Sequence, residues 1–189
     1  IVNLKMKDNT SKYIILGILS YKPRTGYDIH KLVKTRMGPF LDISYSQIYP
    51  TLHHLEKENL LTKKVEINNR GQNRKIYEIT SEGKNKLKDW LTKPAKPETF
   101  KIELLLKVAF GEKASEEDII THIQEFKTRN VKQLENIYAI KKELKQNLNQ
   151  SERYFFGLLP FELGIKLHKA AIDWADTTIK QIKEHYQNC

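Results

Sequence analysis

The sequence predicts a mainly α-helical protein with a small β-hairpin, divided into two domains. Apolar residues recur three and four positions apart along most of the chain, which is the period of amphipathic helices. One segment, 61–80, instead carries β-favouring residues on both sides of a turn-rich stretch, 68–73. The run Lys93-Pro94-Ala95-Lys96-Pro97 interrupts the helical pattern. We therefore expect a first domain over 1–92, a linker over about 93–97 and a second, helical domain over 98–189.

The first domain is expected to begin with two short helices. The apolar block Tyr13–Tyr21 predicts a buried helix that ends before Pro23. Thr25 and Asp28 have the spacing of a capping box, so a second helix should start between them. Its end is expected at Gly38-Pro39, a C-cap glycine followed by a residue that cannot continue a helix.

A third helix is predicted after the next turn. Its buried stripe consists of Ile48, Leu52 and Leu55. Ser44 or Ser46 can cap its start. Asn59 is expected to end it, because asparagine tolerates the left-handed conformation of a C-cap.

The hairpin that follows is strongly basic. Segment 62–75 has one acidic residue, Glu66, and five basic ones: Lys63, Lys64, Arg70, Arg74 and Lys75. Thr80 is then expected to cap a further helix, which runs through Trp90 towards the linker.

The second domain is predicted to be helical throughout. A short helix lies within 100–110, a long helix runs from a capping box at Ser115 to about Leu148, and a last helix covers about 162–186. At 1.5 Å per residue the long helix spans roughly 50 Å, too long for a unit of this size to bury unaided. We therefore expect a homodimer. The predicted dimerisation residues are Ile123, Phe126, Leu134, Ile137, Leu144, Leu148, Leu167, Ala171 and Trp174.

The net charge of +10 is concentrated in the first half of the chain. Residues 1–92 hold 17 basic and 9 acidic residues, whereas residues 93–189 hold 16 and 14. This asymmetry indicates that the first half meets a polyanion, although a well-solvated surface has the same composition. The single cysteine, Cys189, excludes an internal disulfide. Ile1–Asn9 lacks the apolar core of a secretory signal and no run suits a membrane span, so we expect a cytoplasmic protein.

The predicted order of helix, helix, turn, helix and hairpin is that of a winged helix-turn-helix, which binds double-stranded DNA. With its apolar stripe turned inward, the third helix offers a polar face to the major groove. The predicted DNA-contacting residues of this helix are Ser46, Gln47, Tyr49, Pro50, His53, His54 and Lys57. The five basic residues of the hairpin would lie along the backbone or in the minor groove. A two-fold dimer would then bind a (pseudo)palindromic operator.

Other functions find weaker support in the sequence. It contains no glycine-rich phosphate loop, no His-Glu-x-x-His and no serine elbow, so we predict neither an enzyme nor a cofactor. His53 with Glu56, and His54 with Glu58, have a spacing that a metal could use, but two ligands do not make a site. A winged helix that binds a protein instead of DNA remains the alternative.

An effector site for a small molecule is a further possibility. The aromatic residues in question are Trp90, Tyr154, Phe155, Phe156 and Trp174. They could line a pocket between the two halves or between subunits. They could equally serve as core and dimer packing, which is the commoner role of such residues.

Three stretches of the first domain are distinctive: GYDI (26–29), SQIYPTL (46–52) and YEITSEG (77–83). With their surroundings, about Tyr13–Leu91, they closely resemble the PadR family of transcription regulators. The resemblance implies homodimers whose C-terminal helices cross between subunits, and repression of nearby genes that a small molecule relieves in some members. It also implies a recognition helix over 46–57 and a wing over 63–75.

The chain departs from the family pattern at three places. Asn59 stands where the family usually has glycine, and Leu41 where an aromatic residue is common. Gln72-Asn73 replaces a more usual proline-containing tip, which affects how far the wing reaches.

Overall fold

The structure, a computed structural model, describes residues 9–37, 44–67, 73–95, 97, 102–147 and 152–188. It is mainly helical and contains one three-stranded antiparallel sheet, which confirms the predicted fold class. The chain divides into two compact units. The N-terminal unit is Leu4–Glu98, and the C-terminal unit is Thr99–Cys189 together with Ile1–Asn3. Among the described residues, no helix combines the length and apolarity that crossing a bilayer requires.

Over its described residues, the N-terminal unit contains four α-helices: α1 (Asn9–Leu19), α2 (Gly26–Leu32), α3 (Tyr45–Lys57) and α4 (Ser81–Leu91), with a π-helical turn, Val33–Met37, after α2. The predicted capping box of α2 is confirmed, because Thr25 Oγ1 accepts from the Asp28 N–H and Asp28 Oδ2 accepts from the Thr25 N–H. Thr80 caps α4 by accepting a hydrogen bond from the Gly83 N–H. Gly38-Pro39, the predicted end of the second helix, and Leu41 lie outside the described residues.

The sheet consists of β1 (Arg24–Thr25), β2 (Leu61–Ile67) and β3 (Asn73–Ile79), in the order β1-β3-β2. The sequence predicted only the hairpin β2–β3. The structure adds β1, because Arg24 and Thr25 pair with Tyr77 and Ile76 along the other edge of β3. This pairing satisfies backbone groups that an open edge would leave to solvent.

The N-terminal unit has one apolar core, to which α3 contributes its entire predicted stripe. Ile48, Leu52 and Leu55 are fully buried. The helix ends in a Schellman motif, in which the Asn59 N–H donates to Glu56 O and the Leu60 N–H donates to Leu55 O. Asn59 has a φ of 57°, which confirms the predicted left-handed C-cap.

The C-terminal unit contains α5 (Glu103–Ala109), a 3₁₀ turn (Gly111–Lys113), α6 (Glu116–Asn147) and α7 (Glu152–Gln187). Ser115 caps α6 as predicted, because its Oγ accepts from the Asp118 N–H. Ion pairs join Lys127 to Asp176 and Lys141 to Glu162, so α6 and α7 run antiparallel.

The predicted start of the last helix near Glu162 is wrong. α7 begins at Glu152 and continues through Pro160. A proline inside a helix removes one backbone hydrogen bond, here the one to the Phe156 carbonyl. Phe161 and Ile165 are buried just beyond the proline, and their burial offsets that loss.

A buried polar pair lies between α6 and α7. Asn130 Oδ1 is 2.7 Å from His168 Nδ1, and Asn130 Nδ2 donates to Phe126 O at 2.8 Å. Because the asparagine oxygen can only accept, the histidine must carry its hydrogen on Nδ1. Burial lowers the pKa of His168, so the neutral ring is the favoured form. Such a pair favours one register of the two helices over others.

Candidate nucleic-acid interface

The outer face of α3 is polar and accessible. Ser46, Pro50, His53 and Lys57 are all exposed on the side opposite the buried stripe. Short side chains lie near the start of this face and a lysine near its end. A face of this shape can approach base edges in a major groove and place a cation near phosphate.

Gln47 has a second role at the start of α3. Its Oε1 accepts hydrogen bonds from the backbone N–H of Ser44, at 3.2 Å, and from the Ser44 hydroxyl, at 3.1 Å. Ser44 is therefore the N-cap, and Gln47 is the third residue of a capping box. The half-exposed Gln47 side chain must give up these two hydrogen bonds before its amide oxygen and nitrogen can both contact one base.

Tyr49 forms an aromatic pair with Tyr45, a residue that the sequence did not single out. The two rings meet edge to face, with centroids 5.5 Å apart, and the Tyr45 hydroxyl donates to the Tyr49 hydroxyl at 3.5 Å. The close approach of the Tyr45 oxygen, followed by partial burial, raises the pKa of Tyr49 to about 12, so its hydroxyl keeps its proton at neutral pH. Gly26 makes room for the ring, because a Cβ there would lie 2.8 Å from it.

Acidic neighbours pair with several of the predicted DNA-contacting residues. Lys63 binds Glu56 at 2.8 Å, and this contact lowers the pKa of the Glu56 carboxyl. His53 lies 3.9 Å from the same carboxylate. In addition, His54 pairs with Glu58 and Lys64 with Glu78. Both histidine–glutamate spacings that the sequence singled out are therefore side-chain contacts within the unit.

Lys57 and Lys75 are exposed and form no ion pair among the described residues. Arg70 and Gln72, both at the hairpin tip, lie outside the described residues. Arg74 is bound within the protein, since its Nη2 donates to Asp28 Oδ2 at 3.0 Å. Partial burial raises the pKa of Asp28, but hydrogen bonds from Thr25 and Arg74 outweigh it and lower that pKa overall.

The predicted dimerisation seam is largely covered within the chain. Ile123, Phe126, Ile137 and Leu144 are buried, because α7 is as extended as α6 and packs along it. The remaining predicted residues are more open: Leu134, Ala171 and Trp174 are half-buried, Leu167 is exposed, and Leu148 lies outside the described residues. Their part in a dimer stays a prediction.

Two of the predicted effector-site aromatics, Trp90 and Trp174, each pack on an aromatic neighbour of their own unit. Trp90 stacks on Tyr13 with ring centroids 4.5 Å apart, and Trp174 meets Phe126 edge to face at 5.7 Å. Phe155 and Phe156 are exposed, and the side chain of Tyr154 lies outside the described residues. The contacts of the two tryptophans support a packing role, while ligand binding stays a prediction.

Two features of the candidate interaction surfaces were missed by sequence reasoning. One is the contact between Asp28 and Arg74, which are 46 residues apart. The other is the continuity of an exposed apolar face of α7, which joins Phe156 and Leu159 to Leu163 and Leu167, the last of which was among the predicted dimerisation residues. The spacing of three and four residues along this face was a signal for it, but the predicted start of the last helix near Glu162 divided the pattern.

Both parts of the chain match known families. Residues 15–89 match the transcriptional regulator PadR-like family, and residues 100–183 match the virulence activator alpha C-term family. The chain is 40% identical over 100 residues to the negative transcriptional regulator PadR of Bacillus subtilis (strain 168), a match that covers 52% of this chain and 55% of that relative. The chain thus aligns with about half the length of that relative.

Solved structures of the same Bacillus subtilis regulator are similar over nearly the whole chain. Its complex with operator DNA has a TM-score of 0.80 and 28% identity, covering 92% of this chain and 99% of that chain. Its complex with p-coumaric acid has a TM-score of 0.76 and 27% identity, covering 95% and 98%. These matches confirm the predicted resemblance.

Proposed function

We propose that this chain, whose residues 15–89 match the PadR-like family of transcriptional regulators, represses transcription as a homodimer on a (pseudo)palindromic operator, in the cytoplasm. The observation that carries this proposal is the polar, exposed face of α3 beside a basic hairpin in one compact unit. The similar Bacillus subtilis regulator is described as a negative regulator and was solved with operator DNA, which supports the same role here.

Within this function, the residues of the interface divide into two groups. Ser46 and Gln47, at the start of α3, would read base edges in the major groove. Lys57 and Lys75, which have no acidic partner among the described residues, would contact phosphates. Tyr49 would donate its hydroxyl hydrogen to a phosphate, because that hydroxyl already accepts from Tyr45.

The homodimer would form through the exposed apolar face of α7. Phe156, Leu159, Leu163 and Leu167 are between 44% and 65% exposed. At 100° per residue, they lie opposite Phe161 and Ile165, which are buried. A continuous exposed stripe of this kind marks an interaction site, and a second copy offers the same stripe by two-fold symmetry.

Relief of repression by a small molecule is the remaining part of the proposal. The structure of the similar regulator with p-coumaric acid makes a phenolic acid the first compound to test. Saturable quenching of tryptophan fluorescence would support a site near Trp90 or Trp174. Absence of saturable quenching by phenolic acids would favour the packing role of these residues.

A gel-shift titration tests the proposal. The protein is titrated onto the DNA upstream of its own coding sequence, at about 50 and 200 mM salt, with unrelated DNA as competitor. Binding that survives competitor and falls steeply with salt is expected of a phosphate-contacting, sequence-specific regulator. Gln47→Ala should weaken that binding by about 1–3 kcal/mol and relax one base position. An unchanged affinity would mean that Gln47 serves only the cap.

The opposite outcomes separate the alternatives. Binding that is lost to competitor would leave a basic protein without specificity for this DNA. No binding at low salt would favour the protein-interaction alternative, in which a winged helix contacts a protein partner.

A further inference from the structure

We infer that Asp28 is a positioning residue for DNA binding, which holds the wing, β2 and β3, against the helix-turn-helix through its ion pair with Arg74. The inference rests on the proposed function, because it concerns how the wing is presented to DNA. It adds a residue that would not itself contact the nucleic acid.

The outer part of the wing has little other support. β1 pairs with β3 only at Ile76 and Tyr77, so the hairpin beyond them is two-stranded. Its residues 73–75 and 65–67 are all exposed. An isolated two-stranded ribbon is marginally stable in water. The direction in which the wing extends must therefore depend on contacts made by its side chains.

The Asp28 carboxylate supplies such a contact. Its Oδ2 accepts from Arg74 Nη2 at 3.0 Å, from the Thr25 hydroxyl at 2.6 Å and from the Thr25 backbone N–H at 3.2 Å. One carboxylate oxygen thus joins β1, the first turn of α2 and the outer wing. The bond from Lys63 to Glu56 lies further from the tip, where the sheet has three strands. Among the described residues, the Asp28–Arg74 pair is the one that ties the outer wing to the helices.

The direction in which Asp28→Asn changes DNA affinity distinguishes a positioning role from a purely electrostatic one. If Asp28 contributed only its negative charge, Asp28→Asn would strengthen binding to a polyanion. If it orients the wing, the same change weakens binding. Asparagine retains an oxygen that can accept from Thr25, so the cap of α2 is kept while the ion pair is lost.

Glu66 offers a matched control. It lies on the same hairpin, directly opposite Arg74 in the β2–β3 register, and is exposed. It forms no ion pair among the described residues. Glu66→Gln therefore removes the same charge without removing a tie, and it should leave DNA affinity equal or raise it.

The experiment measures the full chain by fluorescence anisotropy on a duplex of about 30 base pairs from upstream of its own coding sequence. Asp28→Asn should weaken binding about threefold to fivefold, the range of a partly exposed ion pair. Asp28→Glu should restore binding, because glutamate suits the same capping position and can still reach Arg74. Adding Asp28→Asn to Arg74→Gln should weaken binding no further, since the two residues act as one tie.

A second measurement does not depend on DNA. Amide hydrogen exchange of the free protein should become faster in 65–67 and 73–75 of the Asp28→Asn variant, and stay unchanged in α1. Unchanged exchange in the wing would overturn the inference. If the wild type binds DNA and the Asp28→Asn variant binds it equally tightly, the inference is also overturned, but the proposed function still holds. A wild type that binds no DNA would overturn the proposed function and the DNA role of Asp28 together.

Discussion

Replacing Gly83 with alanine tests how closely α4 packs on the sheet. A Cβ at this position would lie 2.3 Å from the Leu60 carbonyl oxygen and 2.7 Å from Ile79 Cγ1. The carbonyl cannot move freely, because it accepts a hydrogen bond from the Thr80 N–H at 3.1 Å. Inside a helix, alanine is more favourable than glycine by about 1 kcal/mol of folding free energy. Forcing an extra methyl group into a filled space costs about 1–3 kcal/mol or more. We expect Gly83→Ala to lower the free energy of unfolding of the N-terminal unit by about 1–2 kcal/mol.

Gly17 provides the matched control in the same unit. It lies in α1, and apart from the neighbouring backbone of that helix no described atom would lie within 4 Å of a Cβ there. Gly17→Ala should therefore stabilise the unit by up to about 1 kcal/mol. Urea unfolding followed by Trp90 fluorescence, in a Trp174→Phe background, reports on this unit alone. If Gly83→Ala proves as stable as Gly17→Ala, the close packing of α4 against the Leu60 carbonyl is refuted.

Three further predictions concern the C-cap, the phosphate contacts and the buried histidine. In urea unfolding, Asn59→Ala should cost about 1 kcal/mol because of its positive φ, whereas Asn59→Gly should stay within about 0.5 kcal/mol of the wild type. Lys57→Gln and Lys75→Gln should each make the slope of log DNA affinity against log salt concentration shallower by about 0.9. Lys183→Gln, on α7, is the control and should leave this slope unchanged. If all three variants have the same slope, Lys57 and Lys75 do not contact DNA phosphates. Since burial lowers the folded-state pKa of His168, the unfolded chain takes up the proton first, and the C-terminal unit should lose stability as the pH falls below 6.5. Unfolding at about pH 7.5 and 5.5 checks this, and His168→Gln should reduce the difference.

The features that could be predicted from the sequence depend on residues within a turn or two of one another. The capping box of Thr25 and Asp28 and the left-handed Asn59 were predicted correctly because each is decided by local backbone hydrogen bonds. The buried stripe of α3 follows from helical periodicity alone. The polar face opposite it, and hence the candidate site, follows from the same periodicity.

The features that were missed depend on contacts between distant segments. No local pattern marks Arg24 and Thr25 as a strand. These two residues form a strand only because they pair with the free edge of β3. Pro160 normally indicates the end of a helix, and only packing of α7 against α6 keeps it inside one. The acids that pair with Lys63 and Arg74 likewise come from other elements, α3 and α2.

The sequence by itself determined the order of the main helices and the hairpin, the inward face of α3 and the concentration of positive charge in the first half. These follow from periodicity, capping and composition, which are properties of neighbouring residues. Only the tertiary structure decided which cations stay unpaired, how the wing is tied to α2 and which apolar face of the C-terminal helices remains open. These features depend on which surfaces meet after folding. A charge that is paired, or an apolar stripe that is buried, within the protein is no longer available to a binding partner.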